Sequence, residues 1–144
     1  MSFNKNLIDS FVNITSKAAT SCFKYLGKND KKLADKAATD EMRKNLNLVD
    51  IAGKVVIGEG ELDEAPMLYI GEKLGTGNGP RLDIAVDPLE GTNFAAKSHP
   101  GALSVMAVSK KVDLFHSLET YMKKIADSAD VTSAAAGIAC AFDK

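Results

Sequence analysis

Four acidic residues of this sequence, Asp35, Glu59, Asp87 and Glu90, lie at the ends or in the first turns of predicted helices and strands. Three of them stand beside a glycine or a proline. Carboxylate oxygens are the hard donors that Mg²⁺ prefers, usually a few of them together with water and a substrate phosphate. Since no cluster of cysteine or histidine competes for a metal, these residues predict a site for a hard divalent cation.

The turn at 87–92, with the sequence Asp-Pro-Leu-Glu-Gly-Thr, is the sharpest of these signals because each position has a mechanical use. Asp87 ends a predicted strand and points a carboxylate into a cleft, while the proline after it fixes the turn. The carbonyl of Leu89 can add a neutral oxygen, and Glu90 adds a second carboxylate. These three groups predict metal ligands from one short turn.

The second half of the same turn suits a phosphate. Gly91 lets the backbone approach an anion closely, and Thr92 offers a hydroxyl and an N–H. If a helical turn starts near Asn93, the amides of Gly91 and Thr92 form an anion-binding helix terminus. The turn therefore predicts phosphate binding beside the cation.

Two helices are predicted before these strand ends. From residue 4 to residue 26 apolar residues recur with a three-and-four spacing, and Gly27 supplies the stop. A second helical pattern runs from Leu33 to Leu46 after a polar connection. Asp35 therefore falls in the first turns of the second helix.

Short β-branched runs predict strands at 54–58, 82–87 and 102–108, with 112–115 as the hairpin partner of the last. A short helix is predicted from Pro66 through residues 67–69, and residues 75–80 are predicted to form a loop. Strands outnumber helices after residue 54, without the regular alternation of parallel βαβ units. The predicted fold class is α+β, with two helices packed on a mostly antiparallel sheet.

Composition and charge exclude several kinds of partner. The 144 residues fit one domain, and 18 Lys plus Arg against 19 Asp plus Glu leave a formal charge of -1, so no strong field attracts nucleic acid or a membrane. No apolar run has the length of a membrane span or a signal core, which predicts a cytoplasmic protein. Cys22 and Cys140 lie far apart and suit reduced, structural thiols. His99 and His116 lack a partnered acid or nucleophile and are predicted to be structural or exposed.

Two stretches of the sequence resemble a known enzyme family. The Asp-Pro-x-x-Gly-Thr turn at 87–92 is similar to the signature of the metal-dependent, lithium-sensitive phosphatases, which include inositol monophosphatases and fructose bisphosphatases. The ungapped segment Val55–Lys73 resembles the class II fructose-1,6-bisphosphatases specifically. The resemblance covers about residues 5 to 125 and implies the N-terminal portion of the sugar-phosphatase fold.

The resemblance also implies roles for individual residues. Asp35 and Glu59 would hold one metal and Asp87 and Glu90 another, the metal being Mg²⁺ or Mn²⁺. Thr92, hydrogen-bonded to Asp35, would orient the attacking water. The residues implied to contact substrate are Glu90, Gly91, Thr92 and Tyr121. The residues that could support the site from behind the ligands are Lys31, Glu61 and Asp63.

The activity implied by the resemblance is hydrolysis of the 1-phosphate of fructose 1,6-bisphosphate to fructose 6-phosphate, in gluconeogenesis and in carbohydrate and glycerol metabolism. The partner is a small sugar bisphosphate, and the full-length family is expected to form homo-oligomers. One alternative is a related sedoheptulose-bisphosphatase or inositol-phosphatase activity. Another is a non-catalytic remnant that binds metal or a partner.

The resemblance is predicted to end near residue 126. Residues 127–144 differ from the family's continuation, and the C-terminal half of the family, which carries another acidic ligand and basic substrate contacts, has no counterpart in the sequence. A fragment, a frameshifted product and a natural short form all agree with this pattern. We expect the 144-residue chain by itself to be inactive or weakly active, and to aggregate or oligomerise through exposed apolar surface.

Overall fold

The structure is a computed structural model, which describes residues 3–59 and 67–110 together with Leu114. Within these residues the helices are α1 (Lys5–Ser21), α2 (Lys31–Leu46) and α3 (Thr92–Ala96), with a 3-10 turn at Phe23–Tyr25. The strands are β1 (Ala52–Ile57), β2 (Lys73–Leu74), β3 (Arg81–Glu90) and β4 (Leu103–Lys110). They form a sheet in the order β2-β1-β3-β4, in which β1 and β3 are parallel and the two outer pairs are antiparallel. The predicted α+β class and the mostly antiparallel sheet are confirmed.

Both long helices begin at a capping side chain. The Asn4 side chain accepts a hydrogen bond from the Leu7 amide at 2.8 Å, and that of Asp30 accepts one from the Leu33 amide at 3.0 Å. Each cap satisfies an amide that the helix itself leaves without a partner. α1 ends earlier than the predicted residue 26 because the chain tightens into the 3-10 turn before Gly27 redirects it at a φ of 71°.

The two long helices pack against each other and against one face of the sheet. Ala18, Ala34 and Ala38 are fully buried, and their small side chains let the helices approach closely. The sheet adds alternate residues of its strands, such as Leu82 and Ile84 of β3, to the same core. α2 contacts both β3 and α3, and the charge of Asp35 in α2 reaches Asp87 near the carboxyl end of β3.

β3 continues through Pro88 to Glu90, so the prediction that this strand ends at Asp87 is wrong. The reason is β4, which pairs with β3 up to Asp87 and pairs again at Glu90, with a register shift between the two. Proline is tolerated in this interval because the interrupted ladder does not need its amide. The chain leaves the strand only at Gly91, whose φ is 77°.

The segment 67–72 does not form the short helix predicted after Pro66, so that prediction is also wrong. The segment runs beside β1 instead. The Val55 amide donates to the Glu72 carbonyl at 2.9 Å, and the Gly71 amide donates to the Val55 carbonyl at 2.8 Å. Backbone pairing with an otherwise open strand edge outweighs the local helix signal. The two-residue strand β2 follows, and no sequence pattern predicted it.

The predicted loop at 75–80 is confirmed, and the third predicted strand is observed as β4, shifted slightly toward the C-terminus. The predicted strand at 112–115 lies outside the described residues except for Leu114. None of the helices in the described part of the chain is both long enough and apolar enough to cross a membrane.

Gly75→Ala is expected to destabilise the fold more than Gly77→Ala. Both glycines have a positive φ, 95° and 84°, which strains an alanine by roughly 1–2 kcal/mol at either position. At Gly75 the added methyl would also lie 2.3 Å from the Ile51 carbonyl oxygen. A methyl added at Gly77 would have no neighbouring atom within 4 Å. Overpacking of this kind adds about 1–3 kcal/mol. Thermal unfolding measures both variants, and equal Tm values would contradict the close packing of this loop on Ile51.

Candidate metal and phosphate site

Asp87 lies at the bulge of β3, where its pairing with β4 is interrupted. Its carboxylate accepts a hydrogen bond from the Leu89 amide at 3.2 Å. Burial raises the pKa of Asp87 from 3.8 to about 7, helped by a hydrogen bond with Glu90 and by the negative charges of Glu90 and Asp35, while the Leu89 amide acts in the opposite direction. Near neutral pH this carboxyl group therefore retains a proton for much of the time unless a cation stands beside it.

Asp35 lies in the first half of α2 and is half-buried. Burial raises its pKa, and its Oδ1 atom is buried without a hydrogen-bond partner. A buried carboxylate oxygen without a donor is costly in a folded protein. Asp35 is also close enough to Asp87 for its charge to raise the pKa of that residue. A cation near the two carboxylates would relieve both the unpartnered oxygen and the like-charge contact.

Glu59 follows β1, which is the parallel neighbour of β3. Ile57 pairs with Ala85, so Glu59 and Asp87 each come two residues after this pair. The carboxyl ends of parallel strands meet at the same edge of a sheet. The backbone of Glu59 is held there by a hydrogen bond from its amide to the Leu68 carbonyl at 3.1 Å. The structure therefore brings the Glu59 backbone to the sheet edge at which Asp87 lies.

The carboxyl groups of Asp35, Asp87 and Glu90 suit a cation, although they do not form a complete set of metal ligands. Within residues 3–59 and 67–110, no group of three or more His, Cys, Asp or Glu side chains is arranged to hold a metal ion. Asp35, Asp87 and Glu90 still offer hard oxygen donors whose charges converge on one carboxyl group. They fit a hard divalent cation as a partial ligand set, which water, phosphate or further residues would complete.

α3 provides the predicted helical turn, and it begins at Thr92. Gly91 stands before it in the left-handed conformation, with φ 77° and ψ 40°. The Gly91 carbonyl accepts the amides of Phe94 and Ala95 at 2.8 and 3.3 Å. The hydrogen bonds of this helical turn include neither the Gly91 amide nor the Thr92 amide, because the first amides of a helix have no partner within the helix. Both amides thus lie at the end of β3, next to Glu90.

α3 is tied to the loop that precedes α2. The Gly27 amide donates to the Ala95 carbonyl at 3.2 Å, and the Asn29 amide donates to the Ala96 carbonyl at 2.8 Å. Sequence reasoning missed this link because its two ends are far apart along the chain. Lys31, the first residue of α2, follows the loop and is exposed.

The predicted hydrogen bond between Thr92 and Asp35 is not formed among the described residues, and its formation in the working enzyme stays a prediction. Asp35 Oδ1 has no donor, and the side-chain hydrogen bonds of the described residues include none between these two residues. Thr92 itself is half-buried.

Cys22 and His99, the thiol and imidazole residues of the described part of the chain, are not among the groups that shift the pKa of Asp87, although burial, with the charge of Asp35 contributing, raises the pKa of Cys22. Cys22 is buried between α1 and α2, with its Sγ 3.4 Å from the Ala18 carbonyl oxygen and 3.5 Å from that of Ala34. Burial raises the pKa of this thiol, which agrees with a structural role. His99 is exposed. The predicted residues that lie outside the described part of the chain are Glu61, Asp63, His116, Tyr121 and Cys140.

Sequence reasoning also missed an ion pair beside the site. Arg43 of α2 binds Glu72 through two hydrogen bonds, Nε to Oε1 at 2.7 Å and Nη2 to Oε2 at 3.1 Å. The partners are 29 residues apart, so no local spacing could reveal the pair. The only sequence signal is an arginine within an otherwise amphipathic helix.

The contribution of Asp87 to the stability of the metal-free chain is expected to fall as the pH rises from about 4 to about 7. The pKa of Asp87 is raised from 3.8 to about 7, so over this interval the folded chain keeps a proton that the unfolded chain has lost. Stability falls with pH wherever the folded state binds more protons. Asp87→Asn removes this titration, and the variant should therefore unfold at a higher temperature than the parent at about pH 8, with a smaller advantage at about pH 5.

Thermal unfolding in the presence of a chelator measures this difference. Asp9→Asn, on the exposed surface of α1, removes the same charge and is the matched control. An advantage of Asp87→Asn that stays constant between the two pH values would contradict the raised pKa.

Comparison with known proteins points to one family. The family described as bacterial fructose-1,6-bisphosphatase, glpX-encoded, matches residues 5–138. A D-fructose 1,6-bisphosphatase class 2/sedoheptulose 1,7-bisphosphatase of Synechococcus sp. (strain CC9902) is 50% identical over 123 residues, which are 85% of this chain and 37% of the relative. Fructose-1,6-bisphosphatase 1 class 2 of Escherichia coli (strain K12) is 50% identical over 121 residues, 84% of this chain and 36% of the relative.

The chain thus spans little more than a third of the length of these curated relatives. The family match continues past residue 126, and the boundary between the family portion and a divergent tail stays a prediction. Among solved structures, an extragenic suppressor from Pyrococcus furiosus aligns with 74% of this chain and 41% of its own, at 21% identity and a TM-score of 0.47.

Proposed function

Because the chain belongs to the family of bacterial, glpX-encoded fructose-1,6-bisphosphatases, we propose that it supplies the acidic site of a phosphatase that hydrolyses the 1-phosphate of fructose 1,6-bisphosphate to fructose 6-phosphate. The observation that carries the proposal is the environment of Asp87, a half-buried carboxyl group whose pKa is raised to about 7 beside Glu90 and Asp35. Such a cluster is unfavourable unless a proton or a cation neutralises it. A divalent cation held by such carboxylates can polarise the phosphoryl oxygens and activate water for the hydrolysis of a phosphate ester.

The family is one of metal-dependent phosphatases, and we propose Mg²⁺ or Mn²⁺ as the ion. Asp35 and Glu59 would hold one ion, and Asp87 and Glu90, with the Leu89 carbonyl, would hold another. When bound, the ions supply neutralisation of the phosphoryl oxygens and activation of water. Asp87 must lose its proton to act as a ligand, so cation binding is expected to strengthen as the pH passes about 7.

The chain's own residues would orient the phosphate and move the proton. The amides of Gly91 and Thr92, at the start of α3, would donate to phosphate oxygens. The Thr92 hydroxyl would orient the attacking water and accept its proton, with Asp35 as the acceptor behind it. Glu90 and Tyr121 would contact the sugar phosphate. The residues proposed to support the site are Lys31, Glu61 and Asp63.

The same chemistry would serve a second sugar bisphosphate. The Synechococcus relative is named for activity on both fructose 1,6-bisphosphate and sedoheptulose 1,7-bisphosphate. An inositol-phosphatase activity and a non-catalytic remnant stay as further alternatives.

We also propose a small sugar bisphosphate as the partner, with no nucleic-acid or membrane partner, a cytoplasmic location and a homo-oligomer for the whole enzyme. Residues 1–126 would be the enzyme portion and 127–144 a tail.

The test uses a chimaera in which residues 1–126 are followed by the C-terminal part of the Escherichia coli K12 relative, which is 50% identical in the matched region. Phosphate release is measured with fructose 1,6-bisphosphate, sedoheptulose 1,7-bisphosphate and inositol phosphate in the presence of Mg²⁺ or Mn²⁺. We expect fructose 1,6-bisphosphate to be hydrolysed and the activity to be lost in Asp87→Asn. Undiminished activity of that variant would refute the site, and a preference for inositol phosphate would favour the alternative.

A further inference from the structure

Arg43 lies on α2, about two turns beyond Asp35, and it binds two parts of the segment 67–72 at once. Its guanidinium forms the two-point ion pair with Glu72 described above, and its Nη2 also donates to the Met67 carbonyl oxygen. The side chains are only 25% and 10% exposed, so the pair is largely removed from water. The hydrogen bond that Arg43 donates to Glu72 is the largest of the causes that raise the pKa of Arg43.

This arrangement joins the two ends of the segment 67–72 to one helical residue. A planar guanidinium with several donors can bind a carboxylate and a carbonyl together, which a lysine ammonium cannot do with the same geometry. The carboxylate of Glu72 neutralises the charge of Arg43. The contact therefore fixes position more than it adds positive charge to the acidic site.

The segment 67–72 in turn holds the end of β1. Leu68, the neighbour of Met67, accepts the hydrogen bond from the Glu59 amide at 3.1 Å. The Leu68 carbonyl oxygen also lies against Gly58, where an added Cβ would be only 2.2 Å away. The segment and the end of β1 are therefore in direct backbone contact, so a shift of one displaces the other.

We propose that Arg43 is a positioning residue, which fixes Glu59 at the sheet edge by clamping the segment 67–72 through Glu72 and Met67. The importance of Glu59 for metal rests on the proposed function, whereas the clamp itself rests on the contacts above. Arg43 touches neither substrate nor metal in this proposal. Its loss would let the segment move away from Glu59 and loosen the acidic site.

The test compares Arg43→Met with the parent chain by two measurements. Hydrogen exchange of the Glu59 amide reports its bond to Leu68, with the Ile84 amide of β3 as the reference for global opening. Calorimetric titration with Mn²⁺ reports the acidic site. We expect the Glu59 amide to exchange at least about tenfold faster relative to Ile84, and the Mn²⁺ affinity to fall about 10- to 100-fold, as for other groups that support metal ligands.

Three further variants separate positioning from general stability. Lys44→Met changes the next helical residue, whose side chain is 70% exposed and pairs only with Glu41 among the described residues, and it should alter neither measurement. Arg43→Lys keeps the charge without the two-point geometry and should be intermediate. The double variant Arg43→Met, Glu72→Met removes the buried carboxylate and should recover thermal stability. Its Glu59 amide should still exchange fast, because the Met67 carbonyl has lost its donor.

The proposal is overturned if Glu59 and Ile84 exchange faster by the same factor in Arg43→Met, or if the double variant recovers slow exchange at Glu59 together with stability. If Arg43→Met does not fold, the same criteria apply to Arg43→Lys and the double variant. Glu59→Gln shows whether Glu59 binds metal at all. An unchanged Mn²⁺ affinity in that variant would refute the proposed metal role, and amide exchange would still decide whether the clamp exists.

Discussion

The 144-residue chain, assayed by itself, is expected to release phosphate from fructose 1,6-bisphosphate at least about 10³-fold more slowly than the full-length Escherichia coli relative. The described residues contain no closed group of three metal ligands, and the chain matches only 36% of that relative. Losing two charge-assisted contacts to phosphate, at about 2–3 kcal/mol each, removes about 4–6 kcal/mol of oriented binding. Such a loss corresponds to roughly 10³–10⁴ in rate if it falls on the transition state.

The measurement is phosphate release by the purified chain with Mn²⁺, beside the full-length relative under the same conditions. Asp87→Asn controls for a contaminating phosphatase, because a contaminant would be unaffected by the substitution. Turnover close to that of the relative, abolished in Asp87→Asn, would show that the chain is sufficient for catalysis and that the expected loss is wrong.

Thr92→Ala is expected to lower the kcat of the chimaera by about 10²-fold or more, which is the scale for losing a positioned proton-transfer group. Thr92 begins α3 directly after Gly91, so its backbone follows the end of β3, and we propose that its hydroxyl faces the acidic residues. Thr92→Ser keeps the hydroxyl and should retain much of the activity. Because Thr92 is outside the proposed metal ligands, Mn²⁺ affinity should change little in either variant.

Steady-state kinetics with fructose 1,6-bisphosphate, together with Mn²⁺ titration, separates the two effects. A loss of Mn²⁺ affinity as large as the loss of kcat would mean that Thr92 supports the metal site rather than the proton transfer. Equal kcat in Thr92→Ala and the parent would remove Thr92 from the mechanism.

The sequence predicted the elements whose signals are local. Asn4 and Asp30 are helix caps that bond to amides three residues away, and the apolar residues at 82, 84 and 86 mark the buried face of β3. The errors occur where distant partners decide the outcome. β4 restores pairing at Glu90 after the bulge, and β1 draws the segment 67–72 into backbone pairing. The sequence of β3 does not show that β4 will pair with it again at Glu90, and the sequence of the segment 67–72 does not show that β1 will pair with it.

The site residues also divide into those that local sequence identifies and those that only the fold brings together. The signature turn identified Asp87 and Glu90, which are near neighbours along the chain, and β-strand register explains why Glu59 comes to the same edge. The proximity of Asp35 to Asp87 depends on how α2 packs on β3, which only the fold determines. The ion pair of Arg43 is likewise a product of packing. Sequence patterns therefore identified candidate ligands but not the groups that hold them.

The central claim is that the carboxylates around Asp87 bind a divalent cation, and calorimetric titration of the chain with Mn²⁺ tests it most directly. The titration is done at about pH 8, where Asp87 with its pKa of about 7 is mostly ionised. The parent chain and the charge-matched control Asp9→Asn should bind Mn²⁺ alike, whereas Asp87→Asn combined with Glu59→Gln should bind it at least about 10²-fold more weakly. Equal Mn²⁺ affinity in the parent and in a folded Asp87→Asn, Glu59→Gln variant would contradict the claim.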